Sequence, residues 1–268
     1  MIRAIVCGAA GRMGGRIVAL ALGDEGYTLA GAVERPGHPA VGRDAGEAVG
    51  AGVAGVSIVD QLDPVIRNGD VIFDFTTPAA ALKNLEAAAV AGVSAVIGTT
   101  GFSAEEIGRA RDLSRAIPCV LAPNMSVGVN LLLTILPRVA RVLADEYDIE
   151  ITEAHHRMKK DAPSGTALAL ARAIAGAVGR DLEAVAVYGR EGLVGERTPK
   201  EIGIQAVRAG DIIGDHTVIF GGLGERIEVT HRVHSRDTFA RGALRAGRWV
   251  VGRAPGLYDM IDVLGLKE

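Results

Sequence analysis

The segment EAHHRMKKDAPSGTA, residues 153–167, gathers the side chains best suited to acid–base and anion chemistry. His155, His156, Arg157 and Lys159 combine titratable protons with positive charge, and Pro163 and Ser164 then introduce a helix whose first amides belong to Gly165 and Thr166. A helix N-terminus opposed by cationic side chains suits a small carboxylate. The bland alternative is a charged surface turn whose histidines are satisfied locally. The paired histidines lack the HExxH spacing and neither cysteine is near them in sequence, so no metal site is expected. His231 and His234 close a later alternating run and Arg236 follows; they either line the same pocket or serve structural pairing and solvent exposure.

A second constellation is GAAGRMG, directly after the first apolar run. Gly8, Gly11 and Gly14 let a strand turn sharply into a helix, with Ala9, Ala10, Arg12 and Met13 between them, and backbone donors then approach an anion at the positive end of the helix. The spacing is G-x-x-G-x-x-G rather than G-x-G-x-x-G, so its placement between strand and helix carries the dinucleotide reading. The next run ends at Glu34, 20 residues beyond Gly14, where a carboxylate can accept hydrogen bonds from ribose hydroxyls. Arg35 can receive a 2′-phosphate, stack on adenine or simply be solvated, so NADH and NADPH both fit. Two more loops close apolar runs: GTTG, with Gly98, Thr99, Thr100 and Gly101, and APNMS, with Ala122, Pro123, Asn124, Met125 and Ser126. Both are expected to contact the nicotinamide half of a cofactor or to be ordinary turns. Asn124 is also a hinge candidate, and Asp74 and Thr76 show no role beyond loop hydrogen bonding.

These residues need elements to hold them. In the first half, near-continuous apolar runs (IRAIVC, YTLAGAVE, VSIV, DVIFDF, SAVIGTT, PCVLAP) alternate with helical patterns over 12–22, 79–91 and 104–113. That grammar predicts a parallel sheet covered on both faces, with right-handed crossovers. Thr77 before Pro78 and the Ser103/Glu106 capping box mark helix starts. From residue 127 the pattern changes to helices over 128–143 and 166–178 and to runs alternating polar and apolar residues, which predicts a second domain with antiparallel strands wet on one face. The helical segment after Ser235 either completes that domain or returns to the first. Residues 179–199 read as a mobile surface loop or a subunit-contact arm.

Composition bounds the function. At 268 residues the chain holds about 1.8 nominal domains. The net charge of −3 and an aromatic content of 4% disfavour nucleic-acid binding, and the longest uncharged span, 116–137, is broken by Pro, Asn and Gly, so no membrane span is expected. Cys7 and Cys119 lie in apolar runs and read as reduced, buried thiols. With no secretion signal recognised, a cytoplasmic location is expected. Glycine, 36 of 268 residues, is abundant enough to ask where backbone closely approaches something.

The motifs VCGAAGRMG, GTTG, APNMSVGVN and above all EAHHRMKKDAPSGTAL resemble the dihydrodipicolinate reductase family of bacterial and plant lysine biosynthesis, over nearly the whole chain. The resemblance implies an α/β fold: a Rossmann-like parallel-sheet nucleotide domain, 1–126 with 236–268, and an inserted α+β substrate and tetramerisation domain, 127–235. It implies NAD(P)H-dependent reduction of a dihydrodipicolinate-type cyclic imine, derived from 4-hydroxy-tetrahydrodipicolinate, to tetrahydrodipicolinate, in diaminopimelate and lysine biosynthesis. The partners implied are a small dicarboxylate substrate and three further copies of the chain. By the same resemblance Gly8 to Met13, Glu34, Arg35, Gly98 to Thr100 and Ala122 to Met125 contact the cofactor. His155 and Lys159 are catalytic, and His156, Gly165 and Thr166 bind substrate. Met158 stands where some members carry another histidine, which weakens any role for a third imidazole there. Two other classes share some of these features: another amino-acid dehydrogenase, against which the EAHHRMKKDAPSGT segment argues, and a noncatalytic nucleotide-responsive protein, which would not need His155 and Lys159.

Overall fold

The computed structural model describes residues 1–143 and 145–267. They divide into two compact units, Met1–Val127 with Arg236–Glu268, and Gly128–Ser235.

The first unit begins β1 (Ile2–Cys7), α1 (Arg12–Leu22), β2 (Tyr27–Val33), α2 (Ala45–Ala48), β3 (Ile58–Val59) and β4 (Val71–Asp74). It continues with α3 (Pro78–Ala91), β5 (Ser94–Ile97), α4 (Ala104–Leu113) and β6 (Pro118–Leu121). Alternate residues of one strand serve opposite faces: Ala4 and Val6 join a core with Ile17 and Val18 of α1, whereas Ile5 and Cys7 join a second core with Leu82 and Leu85 of α3. Two-sided burial is why these strands read as unbroken apolar runs. Both cysteines are free and buried in the second core, where burial pushes the Cys119 thiol up to about 12.

The second unit contains α5 (Val127–Leu143), which enters from the first, then β7 (Asp148–His155), α6 (Gly165–Ala177), α7 (Leu182–Val185), β8 (Ala186–Val187), β9 (Ile202–Arg208), β10 (Gly214–Gly221) and β11 (Arg226–Val233). The chain then returns to the first unit with α8 (Asp237–Val250), β12 (Gly256–Tyr258) and α9 (Met260–Leu264). With β12 at one edge, the first sheet has the order β12-β6-β5-β4-β1-β2-β3, and every pairing in it is parallel. Strand order reverses at β1, so the loops after β1 and β4 open at the switch point where ligands collect in such sheets.

The second sheet, ordered β11-β10-β7-β9-β8, departs from the antiparallel expectation. β10 runs antiparallel to β7 and β11, but β7, β9 and β8 are mutually parallel. Alternation reports a half-buried face and is blind to strand direction; the direction is set by the helical connection through α6. One face packs Ile149, Ile151, Ile204 and Phe220 against Leu136 of α5 and Leu170 and Ile174 of α6. The 179–199 segment is not loop throughout. Its early part holds α7 and β8, and the exposed remainder is tied down by Arg190 to Glu150 (2.8 Å) and Glu201 (2.5 Å) and by Arg197 to Asp148 (2.7 Å).

Candidate functional site

In the first unit the glycine loop is a cradle that side chains would fill. Gly8 has φ +73°, and a Cβ on Gly14 would fall 2.0 Å from the Gly8 carbonyl oxygen. Backbone therefore passes over backbone at the start of α1. The N-cap of α1, Gly11, carries no capping side chain, and no acidic residue occupies the first turn, which leaves the positive helix end facing outward. Glu34, just beyond β2, is held at the rim by the Ala10 N–H (3.2 Å) and the Arg35 N–H (2.9 Å). Arg35 itself is exposed. Room for a pyrophosphate and a fixed carboxylate beside it fit a dinucleotide.

The GTTG loop is positioned by a residue whose role the sequence did not reveal. Asp74, fully buried at the end of β4, accepts hydrogen bonds from the Thr76 N–H (3.0 Å), the Thr76 hydroxyl (2.7 Å), Asn84 Nδ2 (2.7 Å) and the Thr99 hydroxyl (3.0 Å). Thr99 thus points inward and holds the loop, while Thr100 is exposed and Gly98 makes room for the Phe75 ring. In the APNMS loop, Ala122 and Met125 are buried, Pro123 is exposed, and Asn124 Oδ1 accepts the Ser126 N–H at 2.9 Å.

In the second unit the alternation of β7 places Glu153 and His155 on its buried face. Glu153 Oε2 lies 2.6 Å from His155 Nδ1 and 2.8 Å from Arg208 Nη1, while Oε1 accepts Arg208 Nη2 (2.8 Å) and the Ser164 N–H (2.9 Å). Burial opposes its charge, but the hydrogen bonds from Arg208, His155 and Ser164 outweigh burial and hold the carboxyl below its ordinary value. Ser164 caps α6 by accepting the Ala167 N–H on its hydroxyl (3.2 Å), so Gly165, exposed and with open space where a side chain would be, sits at the positive helix end beside Thr166. Lys159 Nζ pairs with both oxygens of Asp161, at 2.9 and 2.8 Å. His156 is half-buried, and its carbonyl accepts the Lys159 N–H (3.1 Å) in the turn between β7 and α6.

Register brings in residues distant in sequence. Arg208 on β9 pairs with His155, and His216 on β10 pairs with Glu153. The His216 ring meets the His155 ring edge to face at 5.2 Å, and its Nε2 lies 3.1 Å from the Ser164 hydroxyl. Burial first, and then the neighbouring His155, press His216 down to about 4. Of the later histidines, His231 faces His216 across the β10–β11 pair, whereas His234 is exposed beyond β11. Glu153 had a legible signal, lying two residues before His155 on a strand. Arg208 and His216 had none short of the strand register. Among the described residues no group of three or more His, Cys, Asp or Glu could hold a metal ion, and no helix is long and apolar enough to cross a membrane.

Comparison with known proteins follows the same division of the chain. Residues 2–125 match the family model "Dihydrodipicolinate reductase, N-terminus" and residues 128–264 match "Dihydrodipicolinate reductase, C-terminus". The chain is 57% identical over 267 residues to the 4-hydroxy-tetrahydrodipicolinate reductase of Citrifermentans bemidjiense, covering 100% of both chains. It is 58% identical over 267 residues, with the same full coverage, to that of Geobacter sulfurreducens. A solved structure, the dipicolinate-bound dihydrodipicolinate reductase from Paenisporosarcina sp. TG-14, matches with a TM-score of 0.76 at 26% identity, covering 98% of each chain. With relatives matched from end to end and both halves of the family pattern present, this chain belongs to the dihydrodipicolinate reductase family.

Proposed function

We propose that this NAD(P)H-dependent reductase of diaminopimelate and lysine biosynthesis uses His155 and Lys159 to protonate, and the start of α6 to hold, a dihydrodipicolinate-type cyclic imine. The imine forms when 4-hydroxy-tetrahydrodipicolinate loses water, and its reduction gives tetrahydrodipicolinate. The observation that carries the reading is a single stretch of the second unit, from β7 into α6. It supplies an imidazole with a fixed Nδ1, a lysine ammonium and a helix N-terminus.

When bound, the reduced nicotinamide supplies a hydride to C4 of the conjugated imine. The chain's own residues do the rest. A ring carboxylate of the substrate lies against the Gly165 and Thr166 amides, with His156 beside it, and the helix dipole favours its charge. Lys159 leaves Asp161 for the anionic substrate, and either Lys159 or His155 delivers the proton that quenches the electron-rich carbon after hydride arrival. In the first unit, the loop from Gly8 to Met13 holds pyrophosphate and Glu34 accepts from the adenosine ribose. Gly98 to Thr100 and Ala122 to Met125 flank the nicotinamide half, with Thr99 contributing backbone because its hydroxyl is committed to Asp74. Exposed Arg35 beside Glu34 supports use of both NADH and NADPH. Family membership further supports a homotetramer assembled through the second unit and a cytoplasmic site of action.

The test couples the purified protein to freshly generated condensation product of pyruvate and aspartate semialdehyde and follows NADH and NADPH oxidation separately. Substrate-dependent oxidation is expected with both cofactors. His155→Ala and Lys159→Ala are expected to lower kcat, by roughly 10²–10⁴-fold for the true donor. Unchanged turnover in both variants would overturn the site assignment, and absence of oxidation with either cofactor would overturn the reaction.

A further inference from the structure

Glu153 has every acceptor position committed. Each of its oxygens takes two donors: Oε1 the Ser164 N–H and Arg208 Nη2, and Oε2 His155 Nδ1 and Arg208 Nη1. The side chain is fully buried, and the Arg208 fork is bidentate, the arrangement that best holds a carboxylate in one orientation. An ionised carboxylate only accepts, so the hydrogen on its 2.6 Å contact with the imidazole belongs to His155 Nδ1. Neutral His155 therefore leaves Nε2 bare. That atom lies against Gly214 of β10, where a Cβ would stand 3.1 Å from it, so only a glycine there leaves the ring edge uncovered.

The same carboxylate also sets spacing. Through the Ser164 N–H it fixes the first residue of the α6 cap relative to the imidazole. Arg208 continues the tie by donating to the Asp161 carbonyl (2.6 Å), on the residue whose side chain holds Lys159. One buried ion pair thus registers the imidazole, the helix start and the lysine turn against each other. The hydrogen bonds from Arg208, His155 and Ser164 offset the cost of burying the carboxylate, so the pair can serve to set geometry.

We propose that Glu153, locked by Arg208, is the positioning residue that fixes His155 as its Nδ1–H tautomer and makes Nε2 the atom that exchanges protons with substrate. The proposal rests on the assignment of His155 above. Glu153 touches neither substrate nor cofactor in this scheme; it acts through His155, as second-layer carboxylates orient imidazoles elsewhere.

The test uses the full-length enzyme with 13C-labelled histidine, the His155 signal being the one that His155→Ala removes. In its neutral form His155 is expected to show the Nδ1–H pattern in the wild type. It should switch to Nε2–H in Glu153→Gln, whose amide N–H₂ faces Nδ1. Turnover in Glu153→Gln should fall by about 10²-fold, and adding this change to His155→Ala should cost less than about twofold more, because the pathway through His155 is already gone. Where Glu153→Gln does not fold, Glu153→Asp keeps the charge for Arg208 while withdrawing it from Nδ1, and the same losses are expected. An unchanged tautomer, or an equal loss of turnover with and without His155, overturns the proposal. If His155→Ala alone leaves turnover intact, the catalytic assignment fails by itself, and the tautomer measurement still decides whether Glu153 orients the ring.

Discussion

His216 illustrates how one side chain reports on the interior around the site. It is 4% exposed, and among the described residues its Nδ1 has no hydrogen-bond partner. With its folded value near 4 against about 6.5 for a solvated imidazole, the unfolded chain binds more protons throughout that interval. The folded state is consequently favoured fully above about pH 6.5 and loses that advantage as pH falls toward 4, by on the order of 3 kcal/mol in total. Glu153, depressed below 4.5, adds its loss only at lower pH. Thermal midpoints at pH 7 and pH 5 should therefore lie closer together in His216→Gln than in the wild type; an unchanged gap would show that His216 does not titrate on unfolding. At this scale the sequence was legible where chemistry is contiguous. EAHHRMKKDAPSGT announces an imidazole, an ammonium and a capped helix in one stretch. Nothing in GDHT or in the final arginine of IGIQAVR announces that β10 and β9 deliver His216 and Arg208 to Glu153. Asp74 is illegible for a related reason: a buried carboxylate gets its meaning from Thr99 and Asn84, which only the fold brings to it.

Elements follow from sequence most closely where local rules agree. The helices read over 12–22 and 104–113 appear as Arg12–Leu22 and Ala104–Leu113, and the Ser103/Glu106 capping box forms with both hydrogen bonds, at 3.2 and 2.7 Å. Strand direction in the second sheet was not legible, because side-chain alternation is the same in parallel and antiparallel neighbours. The turn from β1 into α1 gives a sharp test of close backbone approach. Gly14→Ala places a methyl group 2.0 Å from the Gly8 carbonyl oxygen, and neither the Cβ nor that oxygen can move away without shifting the backbone at the switch point. Relief requires displacing the loop, at a cost of about 1–3 kcal/mol. The expected outcome is a lower unfolding midpoint together with at least a tenfold weaker NADH affinity, measured by fluorescence titration. Retained affinity would remove the loop from the cofactor site.

At the level of the whole molecule, the abundance of glycine resolves into turns at positive φ, such as Gly37 and Gly101, and close approaches such as Gly14 on Gly8, and the net charge of −3 conceals a local cationic turn from His155 to Lys160. The homotetramer proposed above is tested most directly by mass. Native mass spectrometry is expected to find four chains of 27.7 kDa, about 111 kDa in all. A monomer at micromolar concentration would overturn the tetramer.

The return of the chain into its first unit also orders its synthesis. α8 contributes Ala240, Ala243, Leu244 and Val250 to the core that α1 and β1 begin, and β12 adds the last strand beside β6. A ribosome that has released everything through Ser235 has delivered the inserted unit complete, while the nucleotide unit still lacks one wall of its core. The inserted unit is therefore free to fold during translation. The glycine cradle, although encoded before the inserted unit, waits for α8 and β12 before its supporting core can close.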